Sequence, residues 1–231
     1  MPTPVDPRAV DLAGFPSPVA RTTTLFVIVG VLSAACHLRA YAQDYGTGRG
    51  GWFNAAIGRG WAQFACDTCH RGPRAGDWGV LLGFGETRDQ QLRVGLVLNV
   101  SDRLLRDGET MWAITTVSPW LRYYPCSGRT LFVEGGIGPS EYRLLKGLHE
   151  GLLFENADTT YASGWGLGST LAAGWDIPIG HGDFALTPRV AYVYGTPRTL
   201  HSPRGATVAR GWTQNVVSIG VEFVINPLDS N

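Results

Sequence analysis

Cys66-Asp67-Thr68-Cys69-His70 carries the sharpest chemistry in the chain. Read as C-x-x-C-H, it is the attachment sequence for covalent haem c, with Cys66 and Cys69 as the anchors and His70 as the axial ligand. The same two cysteines suit a local disulfide that pins the end of a strand in an oxidising compartment. No second axial ligand stands nearby in the sequence, and short motifs recur by chance. The Cys66–Cys69 disulfide is therefore the first expectation and covalent haem the alternative. Zinc is disfavoured, because only three candidate ligands cluster here. His149-Glu150 and His201-Ser202 offer residue types used in hydrolysis. Adjacent residues on one loop seldom face each other, however, and nothing marks either pair as activated. No catalytic residue is assigned, although a lipid-modifying activity is not excluded.

A second set of residues points to electrostatics rather than catalysis. Arg93, Arg122, Arg189, Glu134, Asp176 and Glu222 all fall in segments that alternate between apolar and small or polar residues. Each sits on the small, polar side. Three of each sign balance. In a narrow interior such charges must pair, since an isolated charge in low dielectric is expensive. The expectation is an interior ion-pair network that plugs a barrel.

The elements that would position these residues are strands. Trp212 to Ile225 is the clearest. Val217, Ile219, Val221, Phe223 and Ile225 share one side, and Trp212, Gln214, Val216, Ser218, Gly220, Glu222 and Val224 share the other. Successive side chains of a strand point to opposite faces, so this segment has one greasy and one mixed face. It is long for a soluble strand and suits a tilted strand that crosses a bilayer. Comparable segments run from Trp52 to Phe64, Trp78 to Glu86, Gln91 to Ser101 and Met111 to Tyr124. Three more start at Leu131, run from Gly164 to Asp176, and run from Phe184 to Tyr194. Eight segments, an even number, fit a transmembrane barrel. The mixed faces are rich in Gly, Ala, Ser and Thr, which make a poor soluble exterior and a good crowded interior. The other faces carry Leu, Val, Ile and Phe, with Trp and Tyr near strand ends, as an aromatic girdle requires.

Connections alternate in length. Asp89-Gln90, Pro125 to Thr130 and Gly180 to Asp183 are short, and 66–77, 102–110, 145–160 and 196–211 are long. Short periplasmic turns and long outer loops give this asymmetry. Cys126 then falls in a turn at the opposite end from Cys66 and Cys69. A bilayer's height separates them, and bridged Cα atoms must lie within about 7 Å. Cys126 is expected to be a free or intermolecular thiol. Loop 145–160 is unusually apolar, through Leu148, Leu152, Leu153 and Phe154, and is expected to fold over the mouth or meet a partner.

Residues 1–42 read as a leader. Arg21 precedes the apolar run Leu25 to Leu32, and Ala40-Tyr41-Ala42 follows with small residues at both key positions. This is the pattern of a secretory signal cleaved after Ala42, too short for a membrane-spanning helix. The barrel domain is then 43–231, and no apolar run in it is long enough to cross a membrane as a helix. With 19 basic and 19 acidic residues the formal net charge is zero, which removes the electrostatic case for nucleic acid.

Gly51-Trp52-Phe53, Cys66-Asp67-Thr68-Cys69, Tyr123-Tyr124-Pro125, Val133 to Gly138, Gly174 to Ile177 and Leu186 to Val190 resemble the small bacterial outer-membrane β-barrel proteins. The resemblance covers most of residues 51–225. It implies an all-β fold, an eight-stranded antiparallel up-and-down barrel, in the outer membrane of a Gram-negative-type bacterium. It also implies insertion by the barrel-assembly machinery, and it carries the cysteine pair but not His70. In one respect the chain departs from the pattern: such barrels often end on an aromatic residue, and here Phe223 is followed by Val224 to Asn231. The resulting expectation is an integral outer-membrane barrel with a plugged polar lumen and a structural or surface-interaction role. The alternatives are a small diffusion channel and a haem-bearing barrel.

Overall fold

The computed structural model of the chain describes residues 50–67, 75–89, 91–104, 110–125, 130–146, 160–180 and 184–225. The leader 1–42 and its cleavage site, Cys69, His70, Cys126, His149, Glu150 and the apolar stretch 148–154 lie outside the described residues.

The described chain is built from strands: β1 (Gly51–Ala65), β2 (Ala75–Thr87), β3 (Leu92–Leu104), β4 (Thr110–Tyr123), β5 (Leu131–Lys146), β6 (Thr160–Trp175), β7 (Ile177–Ile179), β8 (Phe184–His201) and β9 (Thr207–Ile225). All pairings are antiparallel, in the order β6-β5-β4-β3-β2-β1-β9-β8. The added β6–β8 pairing closes the sheet on itself, so no long strand is left as an edge. This is the eight-stranded up-and-down barrel expected from the alternation. The short β7 continues β6 in one register, Gly174 opposite Arg189 and Ile177 opposite Leu186. The interruption faces Pro188, which has no N–H to give to the ladder.

Three turns and both ends of the barrel share one rim: Gly51 pairs with Glu86, and Phe53 with Ile225. The connections 66–74, 105–109, 147–159 and 202–206 share the other. We refer to these as the turn side and the loop side.

The expected long connection at 196–211 is corrected. β8 continues to His201 and β9 begins at Thr207. Only 202–206 turns, closed by Ser202 N–H to the Ala206 carbonyl and Gly205 N–H to the Ser202 carbonyl, both 2.8 Å. Pro197, Arg198, Pro203 and Gly205 read as loop residues in sequence. The ladder absorbs the first two through register shifts between Gly195 and Arg198, between Arg198 and Thr199, and between Leu200 and His201. Arg198 itself has a φ of 60°, and such irregularities bend and twist a strand without ending it. The other loop-side connections shorten too, with strand reaching Leu104, Thr110, Lys146, Thr160 and Ala75.

The expected faces are the observed ones. Phe53, Ile57, Trp61, Trp78, Leu82, Leu96, Leu121, Ile137, Leu171, Val190, Ile219 and Phe223 are exposed on the outer wall. Tyr123, Trp175 and Phe184 stand outward near the turn side, and Trp61, Trp78 and Trp165 in the loop-side half. Two aromatic levels around an apolar band make a lipid-facing surface. Each long strand has more than the 9–11 residues that a tilted bilayer crossing takes, and β8 and β9 have 18 and 19. Among the described residues no helix is long and apolar enough to cross a membrane.

Candidate functional site

The interior changes along the barrel axis, with a buried ion-pair network on the turn side beside an apolar cluster of Trp52, Ala56, Leu81, Val97 and Trp120. On the turn side, strand alternation turns Asn54, Arg122, Glu134, Arg189 and Glu222 inward, with Asp176 just past β6, and all are buried. The β4–β5 register places Arg122 directly opposite Glu134. Arg122 Nε donates to Glu134 Oε2 at 2.8 Å, and its Nη2 stands 2.7 Å from the same oxygen. Nη2 also reaches Glu222 Oε1 across the barrel, and Nη1 stands 3.7 Å from Asp176 Oδ1. Arg189 Nη2 donates to Glu134 Oε1 at 2.5 Å, and its Nε is 3.6 Å from Glu222 Oε2. Asn54 Nδ2 donates to Glu222 Oε1 at 2.8 Å. Asp176 accepts from Tyr124 Oη at 2.8 Å and from Thr187 Oγ1 at 2.6 Å. The Arg122 guanidinium lies 3.8 Å from the Phe132 ring centroid, so an aromatic face covers its flat side.

Of the six charges singled out in the sequence, five meet in this one network. Arg93 joins it indirectly: its guanidinium lies 5.2 Å from the Tyr124 ring centroid, and Tyr124 holds Asp176. Among the described residues Arg93 has no carboxylate within ion-pair distance. With Arg93 included, three cations balance three carboxylates. Charges taken from water cost free energy that only close, well-bonded partners offset.

On the loop side the interior is aromatic and apolar. Phe64 meets Trp112 edge-on at 4.9 Å, and Trp212 packs on Tyr142 at 4.9 Å and on Phe64 at 5.5 Å. Ile114, Val193, Leu200 and Val216 fill around them. The loop-side interior departs from the polar lumen expected from the sequence. Phe64, Trp112 and Tyr142 were not assigned to the interior, although parity was available as a signal. Each lies an even number of residues along its own strand from Asn54, Arg122 or Glu134, and so shares the inward face.

Cys66, just past β1, packs against this aromatic cluster and is not a free thiol. The Asp67 N–H donates to the Arg210 carbonyl at 3.0 Å, tying this segment to β9. The other members of the C-x-x-C-H motif, Cys69 and His70, are outside the described residues. His201 closes β8 and is exposed. Ser202 Oγ accepts the Ala206 N–H at 3.2 Å, which makes it part of the turn. Among the described residues no group of His, Cys, Asp and Glu is arranged to hold a metal ion.

No protein family and no curated protein matches the chain. Among solved structures it is similar to Ail, the attachment invasion locus protein of Yersinia pestis, at 12% identity over 76% of this chain and 99% of that one, with a TM-score of 0.46. It is similar to Neisserial surface protein A at 14% identity over 74% and 95%, with a TM-score of 0.43. It is similar to the outer membrane protein OprG of Pseudomonas aeruginosa at 14% identity over 80% and 99%, with a TM-score of 0.39. Likenesses this distant say nothing of role. The fold rests on the strand register, and the membrane-facing surface on the outward side chains.

Proposed function

We propose that this chain is an integral outer-membrane barrel, exported by its leader, with an interior closed by its own side chains. Its role is structural or surface-interactive and is exerted at the loop-side rim. The observation that carries the closed interior is its packing: an ion-pair network with the Trp52–Trp120 cluster beside it on the turn side, and an aromatic layer on the loop side. An eight-stranded barrel has little more room than its own side chains fill, and Arg122, Glu134, Arg189 and Glu222 reach across it. The lipid-facing wall supports the outer-membrane placement. The barrel-assembly machinery is then the partner that inserts it.

A Cys66–Cys69 disulfide fits this reading. Cys66 packs against the aromatic layer, where a short covalent loop would cap the strand end. A Soret band in the purified protein would replace the disulfide with covalent haem on Cys66 and Cys69, with His70 as ligand.

The test has two parts. Outer membranes from a Gram-negative host are run on a denaturing gel unheated and boiled, and the purified barrel is placed in a planar bilayer. The expected results are a heat-dependent shift in mobility and no stable conductance. A soluble periplasmic protein with no shift would overturn the placement. Large, stable single channels would overturn the closed interior and make the protein a diffusion channel.

A further inference from the structure

Arg59 is out of place on the outer wall. It stands on β1, exposed, with Ile57 and Trp61 on either side along its own strand. Its partners across the ladder are Trp78 on β2 and Ile219 on β9, and both are exposed and apolar. The four residues that frame it are thus lipid-facing. Two outward arginines carry their own carboxylates: Arg88 stands 3.5 Å from Glu86, and Arg143 stands 2.9 Å from Glu141; Arg198, Arg204 and Arg210 are exposed too, but in or beside the β8–β9 hairpin rather than among lipid-facing side chains. Among the described residues Arg59 has no carboxylate within that range. The contact it makes is with the Trp78 ring, whose centroid lies 5.8 Å from the guanidinium carbon.

A ring contact supplies no oxygen acceptor to the guanidinium's N–H donors. An arginine on the lipid face of a barrel is unfavourable in proportion to its depth, and a long stem lets it reach toward the interface. Arg59 lies in the loop-side half of β1, level with the Trp61 and Trp78 girdle. A cation fixed there with no partner of its own needs an anion from outside the chain. At that depth, beside two indole rings, the available anion is a lipid phosphate, which the guanidinium fork matches in geometry.

We propose that Arg59, framed by Trp61 and Trp78, is a binding point for the phosphate of an outer-leaflet lipid. The proposal rests on the outer-membrane reading and adds a specific lipid contact to it. Trp78 holds the guanidinium flat against the wall, and Trp61 sets its level at the interface. The lipid's acyl chains then lie along the apolar wall below, against Ile57 and Ile219.

The experiment uses the full-length protein purified from outer membranes in a non-ionic detergent. A bis-phosphorylated glycolipid and its dephosphorylated form are titrated in turn, with retained lipid counted by native mass spectrometry. The wild type is expected to bind the phosphorylated form about tenfold more tightly than the other. Arg59→Gln is expected to lose that preference, Arg59→Lys to keep part of it, and Arg88→Gln to keep all of it. Equal binding of both lipids by the wild type, or an unchanged preference in Arg59→Gln, overturns the proposal. Binding of inorganic phosphate at Arg59 without lipid overturns the lipid assignment in favour of a soluble anion. If Arg59→Gln does not fold, the wild type's preference between the two lipids still decides. A wild type with no heat-dependent gel shift would instead sink the outer-membrane reading, and the proposal with it, so the two failures are distinguishable.

Discussion

Along one strand, β4, the interior changes character. Arg122 and Tyr124 at its turn-side end enter the ion-pair network, while Trp112 and Ile114 at its loop-side end enter the aromatic layer. The same change runs along β5 from Glu134 to Tyr142 and along β9 from Glu222 to Trp212. Both layers fill space, but their tolerance of change differs. A charge network depends on every member, since losing one partner strands the others without solvent. An aromatic layer depends on volume and shape, and adjusts to small changes.

Between the two layers the β4–β5 ladder is broken. Thr116 pairs with Ser140 and Trp120 with Gly136, and the positions between them are unpaired. The register puts Val117 opposite Pro139 and Pro119 opposite Ile137. Neither proline has an N–H, so two rungs are missing on the very strands that carry both layers. The interruption lies between Arg122 of the ion-pair network and Ile114 of the aromatic layer.

The largest expected effect comes from the ionic layer. Arg122→Leu leaves Glu134, Glu222 and Asp176 without their shared cation. The expected cost is about 3–5 kcal/mol, read as a lower urea midpoint for unfolding in lipid vesicles or as loss of the heat-shifted gel band. A midpoint within error of the wild type would mean that the carboxylates find other partners and that the layer is not a unit. In the aromatic layer, Ile114→Val removes one methyl group from a fully buried side chain. It is expected to cost about 0.5–1.5 kcal/mol, with an unchanged denaturant slope. A cost equal to that of Arg122→Leu would erase the distinction between the layers.

The contrast also bears on what sequence makes legible. Alternation placed nearly every side chain on the correct wall in β2, β3, β6, β8 and β9, because a period of two survives without knowledge of the partner strand. It did not give height. That five charges meet while Arg93 stands aside depends on how far each strand is staggered, and stagger is set by pairings such as Arg122 with Glu134. β4 and β5 were harder to read because prolines and glycines interrupt their apolar faces. There the inward Trp112 and Tyr142 went unassigned. The β8–β9 hairpin reads as a loop in sequence because Pro197, Arg198 and Gly205 are turn residues by type. Only the ladder shows that bulges accommodate Pro197 and Arg198.

If the break in β4–β5 separates the layers, perturbations on either side of it should not feel each other. The double substitution Arg122→Leu with Ile114→Val is expected to cost the sum of its parts within about 0.5 kcal/mol, as for sites that share no partner. Coupling beyond that would show one continuous filling and would break the comparison.

The break itself can be repaired, with a smaller expected effect. Pro139→Ala returns an N–H opposite the Val117 carbonyl. A restored hydrogen bond contributes about 0.5–1.5 kcal/mol. Removing the proline gives the unfolded chain back about 0.4–1 kcal/mol of freedom. The two nearly offset, so the unfolding midpoint should hardly move, and stability is the wrong readout. Hydrogen exchange is the right one. The new amide at 139 is expected to exchange as slowly as its neighbours in β5, and the Arg122–Ile114 cycle repeated in this background should show more coupling than before. Fast exchange at 139 would mean that the ladder stays unpaired there for a reason other than the missing donor. The seam would then be set by the packing of Ser118 against Gly136 and Gly138, whose absent side chains leave room for β4 to approach on the inner face.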